Sequence, residues 1–348
     1  MNVLLDISRL HPGALKRGVG FYALNLFKAL KELKGNNQYF LKKDKNDEFS
    51  FDLIHLPYFD PFFFTLPWPR KKPVVVTIHD LIPLKFSKNY PSGLRGKLKW
   101  LIQKRIVKSV SAIMTDSENS KKDIEDIIGF PKDKIFSIYL AASEEFRQLK
   151  EKEKLEKIRK KYSLPDNFIF YVGDLNWNKN VSLLVRALGE VKNRFNDINL
   201  VLAGSAFENE SLAELKEIKR LIKDLKLKER VKLLGFVVID DLVKIYNLAR
   251  LYIQPSFYEG FGLPVLEAMQ SGCPVLSSNK ASLPEVGGQA VEYFNPQNKG
   301  ELEKKIIDLW NNKSKLIGLS KKGLKQSKQF SWQKTAQETR RIYEKIIN

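Results

Sequence analysis

The chain of 348 residues has one cysteine, Cys273, and only three histidines, His11, His55 and His79. A single thiol excludes an intrachain disulfide and fits a reducing compartment. Three scattered histidines and the lack of any Asp-x-Asp pair leave no ligand cluster for a metal, so none is expected. No uninterrupted apolar run reaches the roughly 18 residues that would span a bilayer. The N-terminus, MNVLLDISRL, carries Asp6 and Arg9 in its apolar stretch and reads as a first strand, not a signal peptide. No zinc finger, aromatic sheet motif or basic helix pair stands out, which disfavours a basic nucleic-acid-binding protein. The G-x-G-x-x-G of a dinucleotide-binding unit is missing too. Gly18 and Gly20 follow a strand, but after a long loop and with Ala23 where a third glycine belongs.

Acidic residues are the scarce charge: 40 Asp and Glu stand against 60 Lys and Arg, a net +20. Residues 1–165 hold 32 basic and 19 acidic side chains, and residues 70–108 hold 11 basic ones and a single acid, Asp80. A polyanion or an anionic membrane surface is attracted to such a region. A generic lysine-rich surface accounts for it equally well.

What the chain does have is alternation. Short β-branched runs such as Val3–Ile7, Val74–Ile78, Ala112–Thr115, Phe168–Val172 and Leu251–Gln254 are interleaved with helical spacing, as at Val181, Leu184, Val185 and Leu188. That pattern predicts parallel sheets with helices on both faces. The length favours two domains. A charged stretch at residues 150–167 separates two such series. The expectation is therefore an α/β chain of two tandem Rossmann-like, doubly wound domains facing a cleft. Residues 1–160 form the first, residues 161–330 the second, and a C-terminal helix, 331–348, packs back on the first. Ligands bind outside the carboxyl ends of such strands.

The most informative stretch is PSFYEGFGLPVLEAMQSGCPVL, residues 255–276. A strand ends at Gln254, a loop carries Glu259, Gly260 and Gly262 let the backbone approach a ligand, and a helix follows with Glu267 about one turn in. The amides of Phe261, Gly262 and Leu263 lie at a helix N-terminus, an anion site. Two carboxylates beside an anion site make sense for a nucleotide sugar. The diphosphate wants amides and a cation, while sugar and ribose hydroxyls want acceptors.

This string resembles the signature of family 4 glycosyltransferases, two glutamates with seven residues between them, and the likeness runs on through SGCPVLSSN and SLPEVGG. The resemblance implies the GT-B fold and a retaining transfer from a nucleotide-diphosphate sugar. It assigns Glu259 to the donor sugar, Glu267 to the ribose, and Gly260 to the loop that cradles the donor. A second match is FYVGDLNWNKNVSLLVRAL, residues 170–188, where the family reads G-x-x-x-x-[RK]-K-[NG]. Gly173 opens it and Lys179 takes the diphosphate. Asn178 stands where many members have arginine, and Asp174 where some do. The turns at Gly204 and at Phe236-Val237 line the nucleoside pocket by the same resemblance; from the residues alone they are turns at strand ends.

In the N-terminal half, Gly18 and Gly20 match the family's glycine-rich loop, which reaches donor phosphates or acceptor. His79 and Asp80 end a strand in VVVTIHDLIPLKF, and HDLIP resembles a subgroup that includes mannosyltransferases. His79 is expected to touch the transferred sugar or the acceptor, and Asp80 to orient it or meet the acceptor hydroxyl. Two further stretches, YFDPFFFTLPWPRKKP (58–73) and LRGKLKWLIQKRIVK (94–108), mix aromatic or aliphatic residues with cations. They suit a membrane interface, or a helix packed on the sheet by its Leu94, Leu98, Leu101 and Ile102 stripe.

Taken together, the residues and the resemblance predict a hexosyltransferase with GDP-mannose as favoured donor and UDP-sugars as the alternative. The acceptor is a glycan or lipid-linked glycan. No cofactor is expected, and the place of work is the cytoplasm or the inner membrane face.

Overall fold

A computed structural model describes residues 1–10, 18–43, 50–66 and 72–348. Residues 14–17 of the glycine-rich stretch, and Trp68, Arg70 and Lys71 of the aromatic one, lie outside the described residues. The chain divides into two compact units, Met1–Ala141 with Phe330–Asn348, and Ala142–Gln329.

The first unit runs β1 (Asn2–Asp6), α1 (Gly18–Glu32), β2 (Gln38–Lys42), β3 (Leu53–Leu56), β4 (Val74–Thr77), α2 (Ile82–Lys85), α3 (Gly93–Val107), β5 (Ala112–Thr115), α4 (Glu118–Ile128) and β6 (Ile135–Ser137). Its strands pair in parallel in the order β2-β1-β3-β4-β5-β6. The second unit runs α5 (Lys152–Lys161), β7 (Ile169–Val172), α6 (Val181–Val191), β8 (Leu200–Ala203), α7 (Ala213–Asp224), β9 (Val231–Leu233), α8 (Ile239–Leu248), β10 (Leu251–Gln254), α9 (Leu263–Gln270), β11 (Val275–Ser278), α10 (Leu283–Gly287), β12 (Glu292–Phe294), α11 (Lys299–Asn311) and α12 (Lys313–Ser327). Its order is β12-β11-β10-β7-β8-β9, again all parallel. The final helix, α13 (Trp332–Ile347), belongs to the first unit, where Trp332 packs edge-on against Phe21 of α1.

The reason for the parallel arrangement is in the strand compositions. VVVT, AIMT and LYIQ are buried at every position, which only a sheet covered on both faces permits. Each buried Val or Ile contributes roughly 1.5–3 kcal/mol. In the first unit Val76 and Ile113 meet Val107 of α3 and Ile124 and Ile128 of α4 in one apolar cluster. In the second, Tyr171 and Leu202 meet Leu184 of α6 and Ile218 of α7.

Strand order reverses between β1 and β3 in one sheet and between β7 and β10 in the other. These are the topological switch points, where the connections diverge to opposite faces and leave a crevice at the carboxyl edge. The loops after β7 and β10 are those that carry Lys179 and Glu259.

Two expectations need correction. The charged helix α5, read as the end of the first domain, lies in the second unit. Lys161 and Tyr162 at its end bond Asp241 of α8 at 2.5 and 2.8 Å, and those contacts fix its place. The stripe of α3 does not pack on the sheet. Leu94, Leu98, Leu101 and Ile102 are 86%, 61%, 59% and 41% exposed, and the helix is seated instead through Gly96, Gln103 and Val107. Among the described residues no helix is long and apolar enough to cross a membrane.

Candidate active site

In the second unit the site begins with two loops clasped together. After β7 the chain makes a 3-10 turn, Trp177–Lys179, and then enters the left-handed region at Asn180, with φ of 51°. Asparagine tolerates that conformation because its short side chain bonds locally; here its Nδ2 donates to the Pro255 carbonyl at 3.1 Å. The turn directs Lys179 at the loop after β10. Its Nζ donates to both oxygens of Glu259, each at 2.8 Å. Glu259 is buried and also accepts from Gln254 Nε2 at 2.9 Å and Ser256 Oγ at 2.6 Å. The carboxylate is thus held by three side chains, and its charge is met by an ammonium. Such a buried pair is costly to break, because either partner alone is a desolvated charge.

The clasp has further bonds. Asn178 Nδ2 donates to the Tyr258 carbonyl at 2.9 Å, and the Phe257 amide donates to the Asn178 carbonyl at 2.8 Å. Trp177 stacks on Phe257, with ring centroids 5.2 Å apart. Ser282 Oγ donates to the carbonyls of Glu259 and Phe261 at 2.9 and 2.8 Å. Asn178, expected to face the donor, therefore braces one loop against the other: it is buried and aimed at backbone.

Gly262 is the residue before α9 and has a φ of 113°, where a side chain is strained; an added Cβ would also lie 2.8 Å from Leu283. Pro264 takes the second helical position. The first-turn amides at Leu263 have no intrahelical acceptor by the geometry of any helix, and the macrodipole adds partial positive charge there. Phe261 places its ring in the core. Gly260 is half-buried between Glu259 and that ring. Glu267, on α9, accepts from Tyr246 Oη at 3.0 Å, and burial pushes its carboxyl up to about 7.

The glycine turns serve packing. Gly204 has a φ of 143°, and a Cβ there would lie 2.3 Å from the Gly173 carbonyl oxygen. Its amide donates to the Gly235 carbonyl at 3.1 Å. The ends of β7, β8 and β9 thus close on one another through backbone, and the absence of a Cβ at Gly235 makes room for the Glu208 carboxylate. Phe236 and Val237 part company: Phe236 is 67% exposed, whereas Val237 is buried.

In the first unit the candidate residues cluster at the carboxyl edge of β4 and β5. His79 Nδ1 lies 2.6 Å from Asp116 Oδ2, and Nε2 lies 3.2 Å from the Pro57 carbonyl oxygen. The Tyr22 ring of α1 stands edge-on to the imidazole, with centroids 4.8 Å apart. Burial works to lower the His79 pKa, but the Asp116 carboxylate, with help from Asp80, outweighs it and the net direction is upward. Asp80, expected to orient His79, has another task. Its Oδ1 accepts from the Ile82 amide at 3.0 Å and caps the turn into α2. Gly20 is buried on α1, two residues from Tyr22, while a Cβ at Gly18 would meet nothing within 4 Å. Beneath this edge His55 is fully buried, bonded to Tyr343 Oη at 2.6 Å and to Thr77 Oγ1 at 2.8 Å, and burial pushes it down to about 3. It is a neutral core histidine.

Sequence reasoning missed Gln254, Ser256, Tyr246 and Asp116. The signal was a polar residue at the buried end of an apolar strand: Gln254 closes LYIQ, and Asp116 follows AIMT.

Two family models match the sequence, Glycosyl transferases group 1 over residues 153–326 and Glycosyltransferase Family 4 over residues 9–145. Among curated proteins the chain is 31% identical to the serotype-specific mannosyltransferase WbdA of Escherichia coli over 78% of its own length and 33% of that protein's. It thus spans about a third of that relative. It is 30% identical to the O-antigen chain mannosyltransferase B of Escherichia coli, over 79% of this chain and 71% of that one. Among solved structures, sucrose-phosphate synthase from Thermosynechococcus elongatus superposes with a TM-score of 0.78 at 19% identity, covering 99% of both chains. Anabaena HepE in complex with UDP and glucose does so at 0.77 and 18%, over 99% and 100%. At such identities these structures speak for the fold, which is GT-B.

Proposed function

The chain belongs to glycosyltransferase family 4, and from that premise we propose that it moves a hexose from a nucleotide-diphosphate sugar to a glycan or lipid-linked glycan, retaining the anomeric configuration. The observation that carries the reading is the Lys179–Glu259 clasp at the switch point of the second sheet. It sets a cation, a carboxylate and the amino end of α9 at the carboxyl edge where α/β sheets bind nucleotides.

Lys179 neutralises the diphosphate in the bound donor and on the leaving group, a preorganised charge that needs no rearrangement of solvent. On donor binding its ammonium turns from Glu259 toward phosphate, and Glu259 then accepts from hydroxyls of the sugar. Gln254 and Ser256 keep the carboxylate in place during that exchange. Glu267 accepts from the ribose in its ionised form. Attack comes from the same side as departure, and the acceptor proton passes to the leaving phosphate. The first unit receives the acceptor, with His79 at its edge beside Tyr22 of α1, the helix that Gly18 and Gly20 open. We take the reaction to run without a metal ion.

GDP-mannose is the favoured donor because the similar curated proteins are named mannosyltransferases. UDP-sugars come second, since HepE is described with UDP and glucose. The acceptor surface extends to anionic lipid. The exposed Leu94, Leu98 and Leu101 of α3, joined by Phe63 and Phe64 at 64% and 52% exposure, sit among Arg95, Lys97, Lys99 and Lys104. Lys99 Nζ lies 5.2 Å from the centre of the Phe63 ring. An apolar face bordered by cations is the form that peripheral helices take at a headgroup boundary.

The test is donor consumption without and with acceptor, followed by mass spectrometry for GDP-mannose, UDP-glucose, UDP-GlcNAc and UDP-galactose. One donor consumed by the wild type and spared by Lys179→Ala and Glu259→Ala supports the reading. Equal turnover by wild type and both variants contradicts it.

A further inference from the structure

The first unit holds a carboxylate–imidazole pair that the transfer reading does not require. His79 leaves the carboxyl edge of β4 with one ring nitrogen 2.6 Å from Asp116 and the other 3.2 Å from a backbone carbonyl oxygen. A carbonyl oxygen can only accept, so Nε2 carries a proton. A bare Nδ1 lone pair at 2.6 Å from a carboxylate would be repelled, so Nδ1 carries one as well. Both nitrogens are then donors, which is the imidazolium.

The surroundings are built to keep this state. Asp116 is 4% exposed and adjoins Ser117, whose Oγ accepts from the Ser120 amide and caps α4. An anion at the amino end of an 11-residue helix is stabilised by the helix dipole. Ser120 Oγ in turn donates to the His79 carbonyl at 3.1 Å, so ring and backbone are fixed by the same helix start. Among the described residues, the charged and titratable groups facing the imidazole are Asp116 beyond β5, Asp80 on its own loop, Tyr22 from α1 and the neutral His55 from β3.

We propose that Asp116 is a positioning residue that holds His79 as a fixed imidazolium, making His79 a fixed positive charge at the acceptor edge and not a general base. The proposal rests on the transferase reading for its effect on rate, but its physical core, the charge of His79, does not. An imidazolium has no lone pair with which to take the acceptor proton. Its two N–H groups are taken by Asp116 and Pro57, so it stabilises negative charge through its own charge, at the partly exposed edge of the ring.

The experiment is nitrogen-15 NMR of the histidines across pH in the full chain, with no donor present. Assignment is simple, because there are only three. In the wild type His79 is expected to stay doubly protonated above the ordinary 6.5 and to lose its proton only at higher pH. In Asp116→Asn the titration moves down by a unit or more, while His55 remains neutral throughout. A wild-type His79 that titrates at or below 6.5 overturns the proposal whatever the variant does. The kinetic arm uses the donor identified by the turnover screen. Asp116→Asn lowers kcat/KM about tenfold or more and moves the alkaline limb of the pH profile to lower pH, and Asp116→Glu restores part of both. A loss of rate with an unmoved pH profile leaves Asp116 as structural packing only and refutes the assignment. A shifted NMR titration with no donor turned over by the wild type would instead count against the transferase reading alone.

Discussion

Replacing Glu267 by glutamine separates stability from donor binding at one atom. The carboxyl of Glu267 is pushed from its ordinary 4.5 to about 7 by burial, and one hydrogen bond from Tyr246 offsets that only in part. The sign follows from linkage. Between these two values the folded protein holds a proton that the unfolded chain has lost, so stability falls as pH rises through that window. Integrating the two titrations gives a cost of about 1 kcal/mol at pH 5 and about 3 kcal/mol at pH 8. Glu267→Gln keeps the shape and an acceptor for Tyr246 and removes the titration. Its stability relative to wild type should therefore climb by about 2–3 kcal/mol between pH 5 and pH 8. Urea unfolding followed by a probe in the second unit at the two pH values measures this. The same variant should bind the donor more weakly at pH 8, because a ribose hydroxyl loses its ionised acceptor. Equal stability differences at both pH values would refute the burial of a protonated carboxyl, and unchanged donor affinity would refute the ribose assignment.

Lys179→Ala should destabilise the second unit by about 3 kcal/mol, since it strands the buried Glu259 charge, and Lys179→Ala with Glu259→Gln should recover part of that in thermal unfolding. Gly204→Ala should cost several kcal/mol, about 2–4, because a Cβ 2.3 Å from the Gly173 oxygen forces β7 and β8 apart; a soluble variant with an unchanged melting temperature would contradict the packing. Leu98→Ser with Leu101→Ser should change stability by no more than about 0.5 kcal/mol, as both side chains are exposed, while co-flotation with vesicles of anionic lipid falls. Retained flotation would rule out α3 as the lipid contact.

The architecture was readable because its signals are local and redundant. Buried runs such as VVVT and LYIQ alternate with helical spacing, and no other arrangement buries both. Glu259, Glu267 and Lys179 were readable because glycine, proline and charge sit together at strand ends. Their partners were not. Gln254 and Ser256 look like ordinary polar residues until the strand end brings them within 2.9 Å of Glu259. Asp116 is 37 residues from His79 and meets it only because β4 and β5 are neighbours. Asp80 misled for the opposite reason: adjacency to His79 suggested an orienting role, but a side chain two residues before a free amide caps it first. Helical spacing on α3 likewise identified an apolar stripe without saying which way it turned, and Gly96, Gln103 and Val107 took the buried face.

The most direct measurement is a crystal structure of the protein grown with GDP-mannose. The account predicts that Lys179 Nζ leaves Glu259 for a phosphate oxygen, that Glu259 accepts from hydroxyls of the sugar, and that Glu267 meets the ribose, all at the carboxyl edge of β7 and β10. A donor bound elsewhere, or a diphosphate beside an undisturbed Lys179–Glu259 pair, would contradict it.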